Sequence, residues 1–165
     1  MSYIAQNEIE QFLFDDCQIT DFKSDEKDIR FTLEALIVLE GNSQNSNYTK
    51  SYADTTILTL KDAKIESITL AGYKLYDAND NLLEEIPDKS VAKVEWDKCL
   101  TALKDMYLYR VYLVEKTEDG FVYDFETEQF SVEPVPDLRE DSYIIRISFS
   151  ESVFSWDKYL NRVQG

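Results

Sequence analysis

The stretch "YDANDNLL", residues 76–83, contains four carboxylate or amide side chains on five consecutive positions. They are Asp77, Asn79, Asp80 and Asn81. Carboxylate and amide oxygens are the ligands that calcium prefers, so the spacing makes Asp77, Asn79 and Asp80 a candidate metal site. The same residue types also favour a tight turn, because Asp and Asn bond to their own main chain and tolerate left-handed backbone.

The letters "DANDN" resemble the calcium-ligating linker D-x-N-D-N of cadherin repeats, which implies a calcium-binding or structural β module. The flanking letters are "YKLY" before and "LLEEI" after, so an apolar arm lies on each side of a polar tip. This pattern resembles the hairpin loops of YD-repeat proteins and is typical of a hairpin. The sequence therefore favours a turn at this position, with the calcium module as the alternative.

A second candidate site is a row of acids in "FVYDFETEQF". If this segment is a strand, Phe121, Tyr123 and Phe125 face one way, and the carboxylates of Asp124, Glu126 and Glu128 face the other. Alternate residues of a strand lie roughly 6.6 to 6.8 Å apart. Two phosphate steps along one DNA strand cover about the same distance, roughly 6.8 Å. The row, which is extended by Glu115, Glu118 and Asp119, predicts a surface that imitates nucleic acid for a basic partner. The alternative is the solvated face of an edge strand.

The net charge narrows the choice of partner. Lys and Arg number 17 against 33 Asp and Glu, which gives −16. Such a surface repels phosphates, so direct nucleic-acid binding and docking on anionic membranes are not expected. A basic protein partner, such as a nuclease or a CRISPR effector, fits the charge. The first residues, "MSYIAQNEIEQFLFDD", lack the basic and apolar regions of a secretory signal, so we expect a cytoplasmic protein.

Several catalytic chemistries are excluded by composition. The chain has no histidine and two cysteines, which removes Ser-His-Asp and Cys-His nucleophiles, His-ligated zinc and four-thiolate sites. Its four glycines stand apart from one another, so no phosphate-binding loop is present and no cofactor is predicted. Paired carboxylates leave one enzymatic alternative, a carbohydrate hydrolase.

The elements that must position these residues are mostly strands. Period-two runs of apolar residues recur along the chain, and the clearest hairpin is "YLYRVYLVEKTEDGFVYDFETEQFSV", with its turn at Glu118-Asp119-Gly120. One helical face is predicted, formed by Ala92, Trp96, Cys99, Leu100 and Leu103. Ser90 is the candidate cap at the start of this helix. We therefore expect a single domain over residues 1–165. It is predicted to be mainly β, a two-layer antiparallel sandwich or curled sheet, with one covering helix at about 90–105.

The stretch "FDDCQI", residues 14–19, begins another predicted strand, with Phe14, Cys17 and Ile19 in the core. It resembles the F-[HD]-D-[CSA]-x-I opening of small uncharacterised bacterial β-proteins, some of them immunity-like. That resemblance implies an immunity or anti-defence inhibitor. Together with the charge, it leads to the hypothesis of a non-catalytic acidic protein that occupies a basic partner.

Overall fold

The structure is a computed structural model that describes residues 2–129 and 142–163. It is mainly β, as the sequence predicts. The strands, in chain order, are β1 (Tyr3–Gln6), β2 (Phe12–Leu13), β3 (Gln18–Ser24), β4 (Ile29–Glu34), β5 (Ile37–Val38), β6 (Ser51–Ala53), β7 (Thr56–Lys61), β8 (Lys64–Leu70), β9 (Tyr73–Tyr76), β10 (Leu82–Ile86), β11 (Lys89–Ser90), β12 (Tyr107–Thr117), β13 (Gly120–Glu128), β14 (Ser142–Phe149), β15 (Glu151–Trp156) and β16 (Tyr159–Arg162). The helical segments of the described residues are two 3-10 turns, Ile9–Gln11 and Lys93–Glu95, and one α-helix, α1 (Trp96–Thr101).

Ten strands form one large sheet in the order β1-β15-β7-β4-β3-β12-β13-β14-β8-β11. A four-stranded sheet has the order β16-β6-β5-β2, and among the described residues β9 pairs only with β10. Every strand pair of the described residues is antiparallel. The predicted antiparallel architecture is therefore confirmed.

The connections between strands show that the large sheet folds over on itself. Asp62 and Ala63 alone separate β7 from β8, and Ser150 alone separates β14 from β15. Yet β7 and β15 lie near one end of the strand order, and β8 and β14 lie near the other. Connections this short cannot span a flat ten-stranded sheet, so the two ends must approach each other. The sheet consequently has two facing layers: a first layer, from β1 to β3 in strand order, and a second layer, from β12 to β11.

The core lies between these layers. Phe31 of β4 stacks on Phe125 of β13 with ring centroids 5.4 Å apart, and both side chains are fully buried. The small sheet closes one side of the core, where the ring of Phe12 stacks on that of Phe154 at 4.0 Å. Apolar residues alternate with polar ones along β4, β7 and β15, which is the pattern of strands with one face on a core.

The helix predicted for residues 90–105 is shorter than expected. Ser90 belongs to β11, where it pairs with Thr69, and Val91 N–H donates to the Ile68 carbonyl at 2.9 Å. These bonds hold the chain in an extended form, so Ser90 does not cap the helix. The predicted face is nevertheless partly right, since Cys99 and Leu103 are buried in the core.

The hairpin of β12 and β13 is confirmed, with Thr117 opposite Gly120 and Glu118-Asp119 as the loop. Gly120 is required at this position, because a Cβ atom there would lie 2.1 Å from the Phe149 carbonyl oxygen. None of the helices in the described ranges is both long and apolar enough to cross a membrane.

Candidate partner-binding surfaces

The acidic row predicted on "FVYDFETEQF" lies on β13, which is an interior strand of the large sheet. It pairs with β12 on one side and with β14 on the other. The edge-strand alternative for this segment is therefore wrong. The predicted facing is correct, because Phe125 packs into the core while Asp124, Glu126 and Glu128 lie on the opposite face.

Asp124 is not available to a partner. Asp124 is only 4% exposed. Its carboxylate accepts hydrogen bonds from Arg146 Nε at 2.8 Å and from Arg146 Nη2 at 3.0 Å. The Tyr112 hydroxyl donates to the same carboxylate at 3.2 Å. The register explains this cluster, since Tyr112, Asp124 and Arg146 are directly opposite one another on three neighbouring strands. The prediction that Asp124 binds a partner is corrected: it forms an internal, charge-assisted pair.

Glu126 is also covered by its neighbours. Its side chain is 12% exposed, and Arg110 Nη1 lies 3.9 Å from its carboxylate. The guanidinium of Arg110 extends over the ring of Tyr112, 4.6 Å from the ring centroid. The pKa of Tyr109 is raised to about 12. The main cause is burial, and the second is the hydrogen bond to Glu126. Two arginines thus neutralise the centre of the row, and Asp124, Glu126 and Glu128 do not form an evenly spaced series of free charges.

The free acids lie at the two ends of the hairpin. Glu115, Glu118 and Asp119 are exposed at the loop end. At the other end Glu128 lines an open cleft of about 440 Å³ with Asp15, Asp16 and Tyr107. The two groups of acids are separated by the length of β13, which is roughly 27 Å at about 3.3 Å per residue. This cleft holds one group of carboxylates that the hydrolase alternative could use, but Asp15 and Asp16 are exposed turn residues.

The stretch "YDANDNLL" forms the predicted turn. One oxygen of Asp77 accepts the backbone N–H groups of Asn79 at 2.8 Å and Asn81 at 2.9 Å. Its other oxygen accepts from the Asn81 side chain at 3.1 Å, and Asp80 adopts a left-handed φ of 62°. Both carboxylate oxygens of Asp77 are thus used to close the loop. Within the described ranges, no group of three or more acidic or thiol side chains could hold a metal ion. The calcium alternative at Asp77, Asn79 and Asp80 stays a prediction.

We expect acid to loosen this turn. The hydrogen bonds from Asn81 and Asn79 lower the pKa of Asp77 below its ordinary value of 3.8, because they stabilise the ionised carboxylate. A group whose pKa is lowered in the folded state stabilises it above the unfolded pKa. That contribution disappears as the pH falls through the folded value. An NMR titration of the Asp77 carboxyl carbon should give a midpoint below 3.8. In the variant Asn81→Ala the midpoint should move upward, and an unchanged midpoint would contradict this account of the loop.

The turn lies at the tip of a projecting hairpin, formed by β9 and β10, which we call the arm (residues 73–86). Every residue from Lys74 to Glu85 is exposed except Asp77, which is half-buried. Four large apolar side chains are in contact with water: Leu75 (47% exposed), Tyr76 (53%), Leu82 (50%) and Leu83 (68%).

The two sides of the arm are joined at its base, and β11, which follows the arm, pairs with β8 of the large sheet. Gly72 N–H donates to the Asp88 carboxylate at 2.7 Å. A Cβ atom on Gly72 would lie 2.0 Å from the Ile86 carbonyl oxygen, so no other residue fits there without a shift of the backbone. The apolar flanks of the turn were visible in the sequence, but their exposure was not, because the alternation of a hairpin does not reveal whether it packs on the sheet beside it.

No protein-family model, curated protein or solved structure matches this chain. The immunity-like resemblance of "FDDCQI" stays a prediction. The structure does place Phe14, Cys17 and Ile19 in the core, as expected of a strand start. Burial raises the pKa of the Cys17 thiol, which keeps it protonated and unreactive.

Proposed function

We propose that this protein is a non-catalytic acidic binding protein that occupies a basic protein partner through its arm. The partner class is that of a nuclease or a CRISPR effector, and the role is that of an immunity or anti-defence inhibitor. The observation that carries the proposal is the exposed apolar surface of the arm.

A free-standing two-stranded hairpin is at best marginally stable in water. In addition, the arm exposes three leucines and a tyrosine to water, which is unfavourable in the absence of a partner. Tyr76 and Leu82 lie directly opposite each other, so they form one continuous apolar strip across the two strands. Exposed apolar patches with a polar rim mark interaction sites on soluble proteins. The arm therefore has the character of an element that inserts into a cleft of another molecule.

The charge of the arm defines that cleft. The arm carries four acids, Asp77, Asp80, Glu84 and Glu85, against the single Lys74, and its net charge is −3. Lys74 is itself paired with Glu85 at 3.6 Å. A matching cleft has an apolar floor for the leucines and a rim of Lys and Arg. The net charge of −16 steers such a partner toward the protein over a longer range. Imitation of phosphate spacing plays no part in this proposal, because Asp124 and Glu126 are paired with arginines.

The test is an affinity capture from the native host followed by binding measurements with the purified partner. Tyr76→Ser combined with Leu82→Ser should abolish capture of a basic protein, because it removes the apolar strip and keeps the charge. The matched control is Ile4→Ser with Ile57→Ser, which changes two comparably exposed residues on the outer face of the first layer. The control should bind as the unchanged protein does. Equal binding by the arm variant, or capture of an acidic partner only, would overturn the proposal.

A further inference from the structure

β12 has one edge that is almost entirely open. The strand pairs with β13 along its whole length, from Tyr107 to Thr117. On its other side it pairs with β3 at a single register position, Tyr107 opposite Gln18. The last backbone bond to that side is donated by Leu108 N–H to the Cys17 carbonyl at 2.7 Å. Beyond Leu108, no residue of the described ranges bonds to the backbone of this edge.

The path of the chain explains the opening. β12 and β3 are antiparallel, so the residues that would continue the ladder are those that precede Cys17. These residues turn away at Asp15 and Asp16, and β2 before them joins β5 in the small sheet. Two irregularities of register, at Leu108/Arg110 and Leu113/Glu115, border a regular stretch from Arg110 to Leu113. Bulges of this kind protect an edge from indiscriminate pairing. The regular stretch between them is the part that a specific strand can use.

Acidic side chains lie at both ends of the open edge. The cleft at its start contains Asp15, Asp16 and Glu128. A second cleft of about 460 Å³ at its far end contains Glu8 and Glu10 beside Leu113 and Lys116. The apolar side chains of Leu113 and Val114 are exposed, and Glu115 follows them. A strand laid along β12 would thus contact apolar side chains at its centre and carboxylates at its ends.

We infer that the open edge of β12 accepts an extended segment of a basic protein as an additional strand. Main-chain hydrogen bonds to an exposed edge supply affinity in this binding mode, and the flanking side chains supply specificity. Apolar residues at the centre of that segment pack against Leu113 and Val114, and lysines or arginines at its ends reach the two acidic clefts. The inference takes the basic character of the partner from the proposed function, but it uses a surface separate from the arm.

The test uses synthetic peptides, so it does not depend on finding the natural partner. The probe is a labelled peptide with valines at its centre and lysines at both ends, measured by fluorescence anisotropy against the intact protein. One control peptide has the same sequence with alternate backbone nitrogens methylated, which keeps the charge and removes hydrogen bonds. A second control replaces the lysines by glutamates. The lysine peptide should bind about tenfold or more tightly than the methylated one, since each lost hydrogen bond weakens binding. The glutamate peptide should not bind.

Amide exchange identifies the surface involved. In the complex, the backbone amides between Tyr109 and Thr117 that point away from β13 should become protected, and those of the arm should not. Asp15→Asn with Asp16→Asn should weaken binding of the lysine peptide several-fold and reduce its dependence on salt. The matched control, Glu84→Gln with Glu85→Gln, removes the same charge from the arm and should bind the peptide unchanged.

Three results would overturn the inference. One is equal binding of the methylated and unmethylated peptides, which would mean that only charge is recognised. Another is the absence of binding by every peptide. The third is protection, in the free protein, of the β12 amides that point away from β13 together with a dimeric mass, which would show that a second copy fills the edge. None of these results bears on the arm, so loss of this inference and loss of the proposed function can be told apart.

Discussion

Replacing Phe125 by alanine is expected to lower the free energy of unfolding by ~3–5 kcal/mol, the range for large aromatic residues removed from a core. The Phe125 ring stacks on Phe31 of the opposite layer and is fully buried. Its loss leaves a cavity that the strands cannot fill, because β13 is held between β12 and β14. Urea denaturation followed by tryptophan fluorescence measures the change directly.

The control for this substitution is Tyr48→Ala, since the ring of Tyr48 is 92% exposed. That variant should unfold within ~0.5 kcal/mol of the unchanged protein. The same small effect for Phe125→Ala would mean that the two layers do not pack face to face.

The second large effect is expected at Asp124. In the variant Asp124→Asn, the carboxylate that accepts two bonds from Arg146 and one from Tyr112 becomes a neutral amide. Hydrogen bonds to charged groups contribute ~1.5–3 kcal/mol each when one partner is removed. Arg146 is partly exposed and regains water, so we expect a total loss of ~2 kcal/mol rather than the sum of the bonds. Chemical denaturation near neutral pH measures the loss.

Glu118→Gln is the matched control, because it removes a carboxylate from the exposed loop of the same hairpin. It should leave the free energy of unfolding within ~0.5 kcal/mol. If Asp124→Asn proved as mild as this control, Asp124 would be solvated, and the acidic row would again be available to a partner.

The sequence predicts the β13 hairpin well because its signals are local. The facing of Phe125 and Asp124 follows from the two-residue period of a strand, and the loop follows from Glu118-Asp119-Gly120. The sequence could not reveal which residue pairs with Asp124. Arg146 belongs to another strand, and only the register between β13 and β14 places it opposite. Alternation of apolar and polar residues defines the two faces of a strand. It does not show which cationic residues of the neighbouring strand lie opposite its acids.

The helix was overextended for a related reason. The spacing of Trp96, Cys99 and Leu103 correctly predicts a helical face, but Ser90 pairs with Thr69 of β8 and does not cap the helix. Competition between a helix cap and a strand pair depends on a neighbour that is distant in sequence. The open edge of β12 was equally hidden, because it results from the departure of the chain at Asp15 and Asp16.

The position of β1 beside β15 has a consequence for the order in which the chain folds. Tyr3 pairs with Trp156, and Gln6 pairs with Val153, so these contacts join residues that are 153 and 147 positions apart in the sequence. Closing such a loop costs conformational entropy before any hydrogen bond between the two strands can form. Topologies rich in distant pairings therefore fold slowly. During synthesis on the ribosome, β1 has no partner in the large sheet until β15 has been made. Although β1 is translated before β15, it is therefore among the last strands of the large sheet to be fixed in place.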